Sequence, residues 1–431
     1  MKSDRLEPTG RTAALRRALR TPTEKLQEFS VPLILGVFAG LLVANLDAHL
    51  YEDLVDHHLF GDGAKVFGRA VTAHFIINEI FMVFFFGIAA KEITESVLPG
   101  GALNSVGRAI NPLLGTLGGI VGPVGVYFLL TYLFYGGTAD FSVVANGWAI
   151  PTATDIALAW LVARLVFGRS HPAVNFLLLL AVADDAIGLG IIAIFYPDSD
   201  FPVTPVWLLL TGGGMGVAFA MRRMKVRSWI PYIVVAGAMS WVGLVKSAIE
   251  PALALVVIVP FLPGPEERQE DVLKVEYGEM GSAGHTVAEV GENPLEQFEH
   301  QFKLFVDIGL FFFAFANAGV AFGSINGVTA IVLLSLVGGK TIGVSLFSIA
   351  AIRAGFPLPT GMRVKHLAVA GLIAGLGLTV ALFVSEKAFS GPPFQEPAKM
   401  GAVLSGGVAL LAFVAGALLR VKDPPGSGAE S

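Results

Sequence analysis

The stretch AVNFLLLLAVADDAIGLGIIAIFY, residues 173–196, decides the fold of this chain. As an α-helix rising about 1.5 Å per residue, it reaches about 36 Å, which is long enough to cross a lipid bilayer. Asp184 and Asp185 are its only charged residues, and they lie near its middle. A charge at that depth costs about 3 kcal/mol on insertion scales, so two adjacent aspartates indicate ion or proton handling.

The composition of the whole chain is typical of a membrane protein. Of its 431 residues, 54% are hydrophobic and 15% are charged, and the mean hydropathy is +0.70. The absence of cysteine excludes disulfides, thiolate metal sites and cysteine nucleophiles, and the eight histidines show no zinc-like spacing. We therefore expect a protein of the lipid bilayer that is not an enzyme and needs no cofactor.

Apolar segments recur along the chain and predict an all-α membrane protein with about twelve transmembrane helices. The weakest of them is 248–262, which is short and begins with Glu250 and Pro251. The twelve segments are 31–46, 73–90, 112–135, 146–163, 173–196, 203–221, 229–246, 248–262, 304–322, 327–350, 366–386 and 400–419.

The distribution of basic residues supports twelve spans with both termini in the cytoplasm. In that topology 23 of the 29 lysines and arginines are cytoplasmic, five lie in outer loops and Lys340 alone is buried. If 229–262 were one span, 17 of the lysines and arginines would lie inside and ten outside, a smaller excess on the cytoplasmic side. Because basic residues accumulate on the cytoplasmic side, twelve spans are the better prediction.

The chain divides into a basic N-terminal segment (1–30), a polytopic transporter domain (31–420) and a short tail (421–431). Within the domain, 264–299 holds ten acidic residues against two basic ones and is predicted to be an acidic, solvated cytoplasmic loop. The basic clusters flank spans and carry no base-reading motif. They are therefore interpreted as topology determinants that favour anionic headgroups, and no nucleic-acid partner is expected.

Two of the predicted spans carry signals for an interrupted helix. The fourth contains PTATD at 151–155, where proline removes a backbone donor and threonine competes for backbone partners. The eleventh is broken by Gly371, Gly375 and Gly377. The broken span is the middle one in each of two triplets, spans 3–5 and spans 10–12. Equivalent breaks in two halves of a chain predict inverted-topology repeats with interrupted, crossing helices 4 and 11 and a site at the midplane.

Opposing ends of broken helices stabilise charge, because a carboxylate is favoured near helix N termini and an ammonium near C termini. Asp155 and Lys340 fit these two roles. Neighbouring helical residues project about 100° apart, so one of Asp184 and Asp185 can face Lys340 while the other faces a cavity. Na⁺ or Li⁺ would be held by carboxylate, carbonyl and threonine oxygens, and protons would compete for the same place.

The chain resembles the NhaA-type sodium/proton antiporter family from about residue 26 to 420. The combination of the aspartate pair, the TDIA segment and the glycine-lysine segment is highly specific. The matching stretches are TATDIALAW (152–160), LAVADDAIGL (180–189), FAFANAGV (313–320), GGKTIGVSLF (338–347) and GLIAGLGLTVALF (371–383).

The resemblance implies a role for each residue of the site. Asp185 would be the ion- and proton-binding carboxylate, and Asp184 would pair with Lys340. Asp155 would offset the partial positive charges of the facing helix N termini, and Lys340 would offset the partial negative charges of the opposing C termini. Thr154 would help to ligate or orient the ion.

The resemblance also implies the activity and the setting. The expected activity is electrogenic exchange of cytoplasmic Na⁺ or Li⁺ for external protons, in the service of pH and sodium homeostasis. The expected location is the inner membrane of a bacterial cell, and the family suggests a homodimer.

The sequence departs from the family in the region that governs the response to pH. The family's cytoplasmic glutamate-histidine pair is present as Glu299 and His300. A glutamate expected in the second span is Ala89, and a histidine expected at the start of the eighth is Glu250. The core exchange reaction is therefore expected, but the family's pH profile is not carried over.

Other interpretations stay open at this point. A sodium-coupled organic solute symporter of related inverted-repeat architecture is the main alternative function, and it would need a pocket for an organic solute. An intramembrane aspartyl protease typically needs a GxGD segment, which is not present here. Asp155 can stabilise a helix break without binding the ion. Glu79 and Glu250 lie near span ends and are interpreted as side chains that water can reach.

Overall fold

The computed structural model describes residues 31–60, 64–98, 101, 106–197, 202–264 and 293–422. The predicted basic segment 1–30, most of the predicted acidic loop (265–292) and the tail from 423 onward lie outside these residues.

The described residues form helices and one short hairpin of two antiparallel strands, β1 (Lys65–Val66) and β2 (Arg69–Ala70). The helices, in chain order, are α1 (Val31–Leu46), α2 (Ala48–Val55), α3 (Ala73–Val97), α4 (Val106–Tyr135), α5 (Phe141–Ala145, continued as a 3-10 helix over Asn146–Thr152), α6 (Ile156–Val166), α7 (Pro172–Phe195), α8 (Leu208–Arg223), α9 (Trp229–Ser247), α10 (Pro294–Ala318), α11 (Gly327–Arg353), α12 (Val364–Ala374), α13 (Leu378–Ala388) and α14 (Gln395–Leu418).

Within the described residues, seven helices are long and apolar enough to cross a membrane, and the number rises to nine when each of two bent helix pairs counts as one span. The predicted all-α, multi-pass architecture is thereby confirmed. Two further predicted spans correspond to α1 and α8, which have 16 residues each. The total of twelve stays a prediction.

The predicted eighth span, 248–262, does not form a regular α-helix. Ala248 ends α9 in a left-handed conformation (φ 58°), and the chain continues as 3-10 turns at Pro251–Leu253 and Val259–Phe261. Proline cannot donate the backbone hydrogen bond that would continue the preceding helix, which accounts for the break. The segment is nevertheless well buried, so its apolar composition reflects packing against neighbouring helices.

Helix α10 begins earlier than the sequence analysis predicted. The proposed loop ran to residue 299, whereas the helix starts at Pro294. Asn293 and Glu296 form a reciprocal capping box that satisfies backbone donors of the first turn. Residues 294–299 are therefore helical, which places Glu299 on a fixed surface.

The two predicted interruptions are present. The first broken helix consists of Phe141–Thr152 and Ile156–Val166, which meet at 53°; the second consists of Val364–Ala374 and Leu378–Ala388, which meet at 47°. The two breaks touch, because the backbone N–H of Asp155 donates to the carbonyl of Leu376 at 2.6 Å. Inverted repeats and the crossing of whole spans stay predictions.

Helix α11 is held against α4 by glycines. A Cβ atom at Gly343 would lie 2.0 Å from the carbonyl oxygen of Gly118, and one at Gly339 would lie 2.4 Å from the Cα atom of Pro123. Backbones can approach this closely only where a side chain is lacking. This contact fixes the α11 segment that carries Lys340.

Candidate ion-binding site

Asp184, Lys340 and Thr154 form a buried triad beside the helix breaks. The Lys340 ammonium forms an ion pair with Asp184 Oδ2, and the side chains of both residues are fully buried. Lys340 Nζ also donates to Thr154 Oγ1 at 2.7 Å. The Thr154 hydroxyl lies 2.8 Å from Asp184 Oδ2 and 2.9 Å from the carbonyl oxygen of Ala374, either of which can accept its proton.

The triad lies at the C-terminal end of α12, because Ala374 is the last residue of that helix. Carbonyl groups at a helix C terminus carry partial negative charge. The positive charge of the Lys340 ammonium therefore compensates both that partial negative charge and the negative charge of the Asp184 carboxylate. The sequence analysis expected Lys340 near opposing helix C termini; in the structure it is linked to the end of α12 through the Thr154 hydroxyl.

Asp155 contacts both broken helices at once. It is the N-cap of α6, where its Oδ1 atom accepts a hydrogen bond from the Leu158 N–H at 3.1 Å. Its Oδ2 atom accepts from the hydroxyl and, at 3.4 Å, from the backbone N–H of Thr379 in the first turn of α13. One carboxylate thus satisfies donors at the N-terminal ends of two half-helices, where negative charge is favoured.

Asp185 lines a cavity of about 810 Å³, which Thr154 of the triad also lines and Asp184 does not. Its Oδ1 atom is buried and has no hydrogen-bond partner among the described residues. Adjacent positions on a helix differ by about 100°, which explains why Asp184 and Asp185 face different surroundings. Helix geometry left open which of the two faces the lysine, and the resemblance assigned this place to Asp184; in the structure Asp184 forms the ion pair with Lys340.

The cavity extends from the helix breaks to Glu299 and Lys303 in the first half of α10, a region we call the cavity mouth because the Lys303 side chain is 54% exposed. Acidic side chains predominate among the charged residues of the cavity. Burying a lone carboxylate is costly, so such a lining favours a cation or a proton inside the cavity. The charged residues that line it are Glu92, Asp155, Arg164, Asp185, Glu299, Lys303 and Asp307.

The residues predicted to respond to pH are separated by the structure. Glu299 lines the mouth of the cavity, forms an ion pair with Lys91 and lies 3.4 Å from Lys303. His300 is exposed and lies outside the cavity lining. The geometry thus connects Glu299, but not His300, to the cavity that holds Asp185.

Sequence reasoning missed two side chains of this site. These are Thr379, which binds Asp155, and Glu92, which lines the cavity. The available signal for Thr379 was a hydroxyl two residues after Gly377, in the first turn of the half-helix that faces PTATD. No sequence signal indicated that Glu92 would line the same cavity as Asp185.

Glu79 and Glu250 differ from the prediction that water reaches them. Their exposed fractions are 8% and 2%, and neither lines the cavity. Glu250 accepts a hydrogen bond from the Ala252 N–H in the irregular segment that replaces the predicted eighth span. Its burial follows from that segment lying inside the helix bundle.

Comparison with known proteins agrees with this architecture. The family model described as Na⁺/H⁺ antiporter 1 matches residues 23–419. A relative from Geobacter sulfurreducens named Na(+)/H(+) antiporter NhaA is 51% identical over 407 residues, covering 94% of this chain and 100% of the relative. Proteins of the same name from Desulfitobacterium hafniense and Jannaschia sp. are 52% and 40% identical over 92% and 91% of this chain, covering 96% and 97% of the relatives. The chain therefore belongs to the Na⁺/H⁺ antiporter 1 family and is a multi-pass membrane transporter of the NhaA type.

Proposed function

We propose that this protein exchanges Na⁺ or Li⁺ for protons at a site centred on Asp185, with Asp184 as a second carboxylate. The observation that carries the proposal is the buried, unpartnered oxygen of Asp185 in an acid-lined cavity, beside an Asp184 already paired with Lys340. The names of the relatives support the same exchange.

The same oxygens serve both ions in the proposed mechanism. A dehydrated Na⁺ is a hard cation that prefers carboxylate, carbonyl and hydroxyl oxygens, which Asp185, Asp184 and Thr154 supply. A proton binds the same carboxylates, so occupancy by one ion excludes the other. Two carboxylates provide more than one proton-binding group per cation, which accounts for electrogenic exchange.

Lys340 and Asp155 balance charge during the cycle. When a cation binds Asp184, the Lys340 ammonium loses its carboxylate partner but keeps the Thr154 hydroxyl near the C-terminal end of α12. Asp155 keeps its contacts with both half-helices whether the ion site is full or empty. The partial charges at the two helix breaks therefore stay compensated while Na⁺ and protons replace each other at the site.

The location proposed for the protein is the inner membrane of a bacterial cell, with both termini in the cytoplasm. In this topology the cavity mouth near Glu299 and Lys303 opens to the cytoplasm, and the cation enters from there. We further propose twelve spans, inverted repeats with the two broken helices crossing, and a homodimer. Glu299 and His300 stay the proposed pH-responsive residues, and of the two only Glu299 lines the cavity.

The alternative function, a sodium-coupled organic solute symporter, draws on one observation. A cavity of about 810 Å³ is large enough for an organic solute. The names of the relatives do not favour it. Sodium-dependent proton movement in the absence of any organic solute would separate the two functions.

The test uses everted vesicles from cells that lack their own Na⁺/H⁺ antiporters. Respiration acidifies the vesicles, and we expect added Na⁺ or Li⁺, but not choline, to dissipate the pH gradient reported by a fluorescent amine. Asp185→Asn should abolish the response. Asp140→Asn is the matched control because Asp140 is exposed and its side chain forms no capping hydrogen bond. A wild-type protein that leaves the gradient intact between about pH 6.5 and 9 contradicts the proposal.

A further inference from the structure

A second group of charged and amide side chains is packed at the end of the bundle away from the cavity mouth. We define it as the closed-end network: Asn78, Glu79, Glu250, Asn317, Glu386 and Lys387. Four of these residues are at most 8% exposed. None of the six is among the residues that line the cavity.

Lys387 is the hub of the closed-end network. Its ammonium lies 3.1 Å from Glu79 Oε1 and 2.8 Å from Glu250 Oε2. Glu79 is also bound by Arg69 at 3.1 Å, on the strand that precedes α3. The last turn of α13 is thereby joined to α3 and to the irregular segment after α9.

Glu386, the neighbour of Lys387, joins α13 to other elements. It accepts a hydrogen bond from Asn78 Nδ2 at 2.7 Å and lies 3.3 Å from His74 and 3.7 Å from Lys399. Asn78 in turn accepts from Asn317 Nδ2, on α10, at 3.0 Å. Charged and amide groups thus tie α3, α10, α13 and α14 together at this end.

Helices α3, α10 and α13 run from the cavity to the closed-end network, and α13 carries Thr379 at the cavity and Lys387 in the network. Helix α3 carries Glu92 at the cavity and Glu79 in the network, about 20 Å apart along the helix at about 1.5 Å per residue. Helix α10 carries Glu299 at the mouth and Asn317 in the network, about 27 Å apart by the same rise. The network therefore lies at the far ends of these helices, on the side of the bundle opposite to the cavity mouth.

Two aromatic rings fill the space between the ion site and the network. Phe86 lies on α3 between Glu79 and Glu92, and Phe383 lies on α13 between Thr379 and Lys387. Their ring centroids are 5.2 Å apart, and both side chains are almost fully buried. The Lys387 ammonium lies 5.4 Å from the Phe383 ring.

We propose that the closed-end network, with Lys387 as its hub, is the gate that closes the ion pathway on the side opposite to the cavity mouth. This inference rests on the exchange function proposed above, because an exchanger must expose its site to each side in turn. Buried charges that separate into water regain their hydration, which offsets the loss of their partners. An ion-pair gate can therefore open repeatedly, with Lys387 as a positioning residue that sets how often α13 parts from α3.

The local geometry of α3 supports a moving part at this position. Residues Ile76–Phe81 form a π-helical turn that contains both Asn78 and Glu79. Such turns are rare, occur frequently at functional sites and mark places where a helix changes register. On α13, the hub is on the same short half-helix as Thr379, so movement of the gate is transmitted directly to the Asp155 contact.

Thiol labelling tests the gate without depending on transport. The chain has no cysteine, so Asn317→Cys introduces a single thiol at a position that is 1% exposed. A membrane-impermeant maleimide added from outside should label it far more slowly than the exposed control Asp140→Cys. Adding Glu250→Gln and Lys387→Met, which leaves Glu79 with Arg69, should raise the Asn317→Cys labelling rate at least several-fold. Equal rates with and without these two substitutions overturn the gate.

Cross-linking tests whether the gate must open during exchange. In the variant Lys387→Cys with Glu250→Cys, a short bifunctional methanethiosulfonate should abolish exchange, and a reductant should restore it. Each single-cysteine variant, modified but not bridged, is the matched control. Undiminished exchange in the bridged protein overturns the gate alone, whereas absence of exchange in the unmodified wild type contradicts the proposed function instead. If the unbridged double variant is inactive, the labelling rates of Asn317→Cys decide whether the network is the gate.

Discussion

At the scale of single residues, Asp155 has the most demanding position in the site. Its two oxygens accept from Leu158 on one half-helix and Thr379 on another, so both broken helices depend on one side chain. This supports the interpretation that Asp155 stabilises the helix breaks. Its place in the cavity lining also keeps it within reach of a passing cation.

Thr379→Val tests the dependence of Asp155 on its threonine partner. Valine keeps the shape of the side chain but removes the hydroxyl donor, so a buried carboxylate loses a hydrogen bond at a cost of about 1–3 kcal/mol. We expect a lower melting temperature in detergent and slower exchange. Thr379→Ser keeps the hydroxyl and should retain most of both, so equal losses in the two variants would contradict the explanation.

Lys340→Met tests the buried pair with Asp184. Removing one partner leaves an uncompensated buried charge, which costs about 3–5 kcal/mol, and thermal unfolding should report the loss. Combining it with Asp184→Asn should recover much of the stability but not the exchange. A double variant no more stable than Lys340→Met alone would show that the lysine stabilises the protein through other contacts.

Sequence reasoning identified Asp184, Asp185 and Lys340 because the aspartate pair and the lysine are the only charges in their apolar runs. It missed Thr379 as a partner of Asp155 because 224 residues separate them and threonine is common in apolar helices. Pairings of this kind arise from tertiary packing, which one sequence does not display.

At the scale of elements, the contact between α4 and α11 sets the position of Lys340. Gly118 and Gly343 each leave no room for a Cβ atom, because their backbones meet directly. The glycines therefore act as spacers that hold the lysine helix at a fixed distance from the breaks.

Gly343→Ala tests this contact. The added methyl group would lie 2.0 Å from the Gly118 carbonyl oxygen, so the helices must separate, at a cost of about 1–3 kcal/mol. Gly338→Ala on the same helix is the matched control, because a Cβ atom there meets nothing within 4 Å. Thermal unfolding should distinguish the two, and equal melting temperatures would contradict a tight α4–α11 contact.

Elements with strong local sequence signals were predicted correctly, and elements that depend on tertiary packing were not. Proline and glycine clusters located both helix breaks, because those residues alter the backbone directly. The 248–262 segment was predicted as a span, since its composition matches a helix; the left-handed Ala248 and the 3-10 turns depend on surrounding helices. The start of α10 was missed although Asn293 and Glu296 carry a capping signature, because the preceding acidic run obscured it.

At the scale of the whole molecule, the two ends differ in chemistry. One end holds the mouth of the cavity that Asp185 lines, and the other holds the closed-end network. The sequence did not indicate this asymmetry, because the pair of Glu79 with Lys387 joins residues 308 positions apart. Apolar periodicity predicted which segments cross the membrane but not which side of the bundle stays closed.

Competition between protons and Na⁺ should appear in the kinetics of the intact protein. Because both ions bind the same carboxylates, the apparent KM for Na⁺ should rise as pH falls, by up to about tenfold per pH unit for one competing proton. The maximal rate should change less. Initial rates in proteoliposomes over a range of Na⁺ concentrations and pH provide the measurement. An apparent KM independent of pH would mean that the two ions use separate places.

The carboxylate shared by both helix breaks also constrains biogenesis. Asp155 leaves the ribosome more than two hundred residues before Thr379, so the earlier half-helix enters the bilayer without its companion. Its final shape must await insertion of the C-terminal spans. A nascent chain halted after Arg353 would thus carry an incompletely formed core, because Thr379 lies beyond that point, so synthesis of the helices after Arg353 is the step that completes this core.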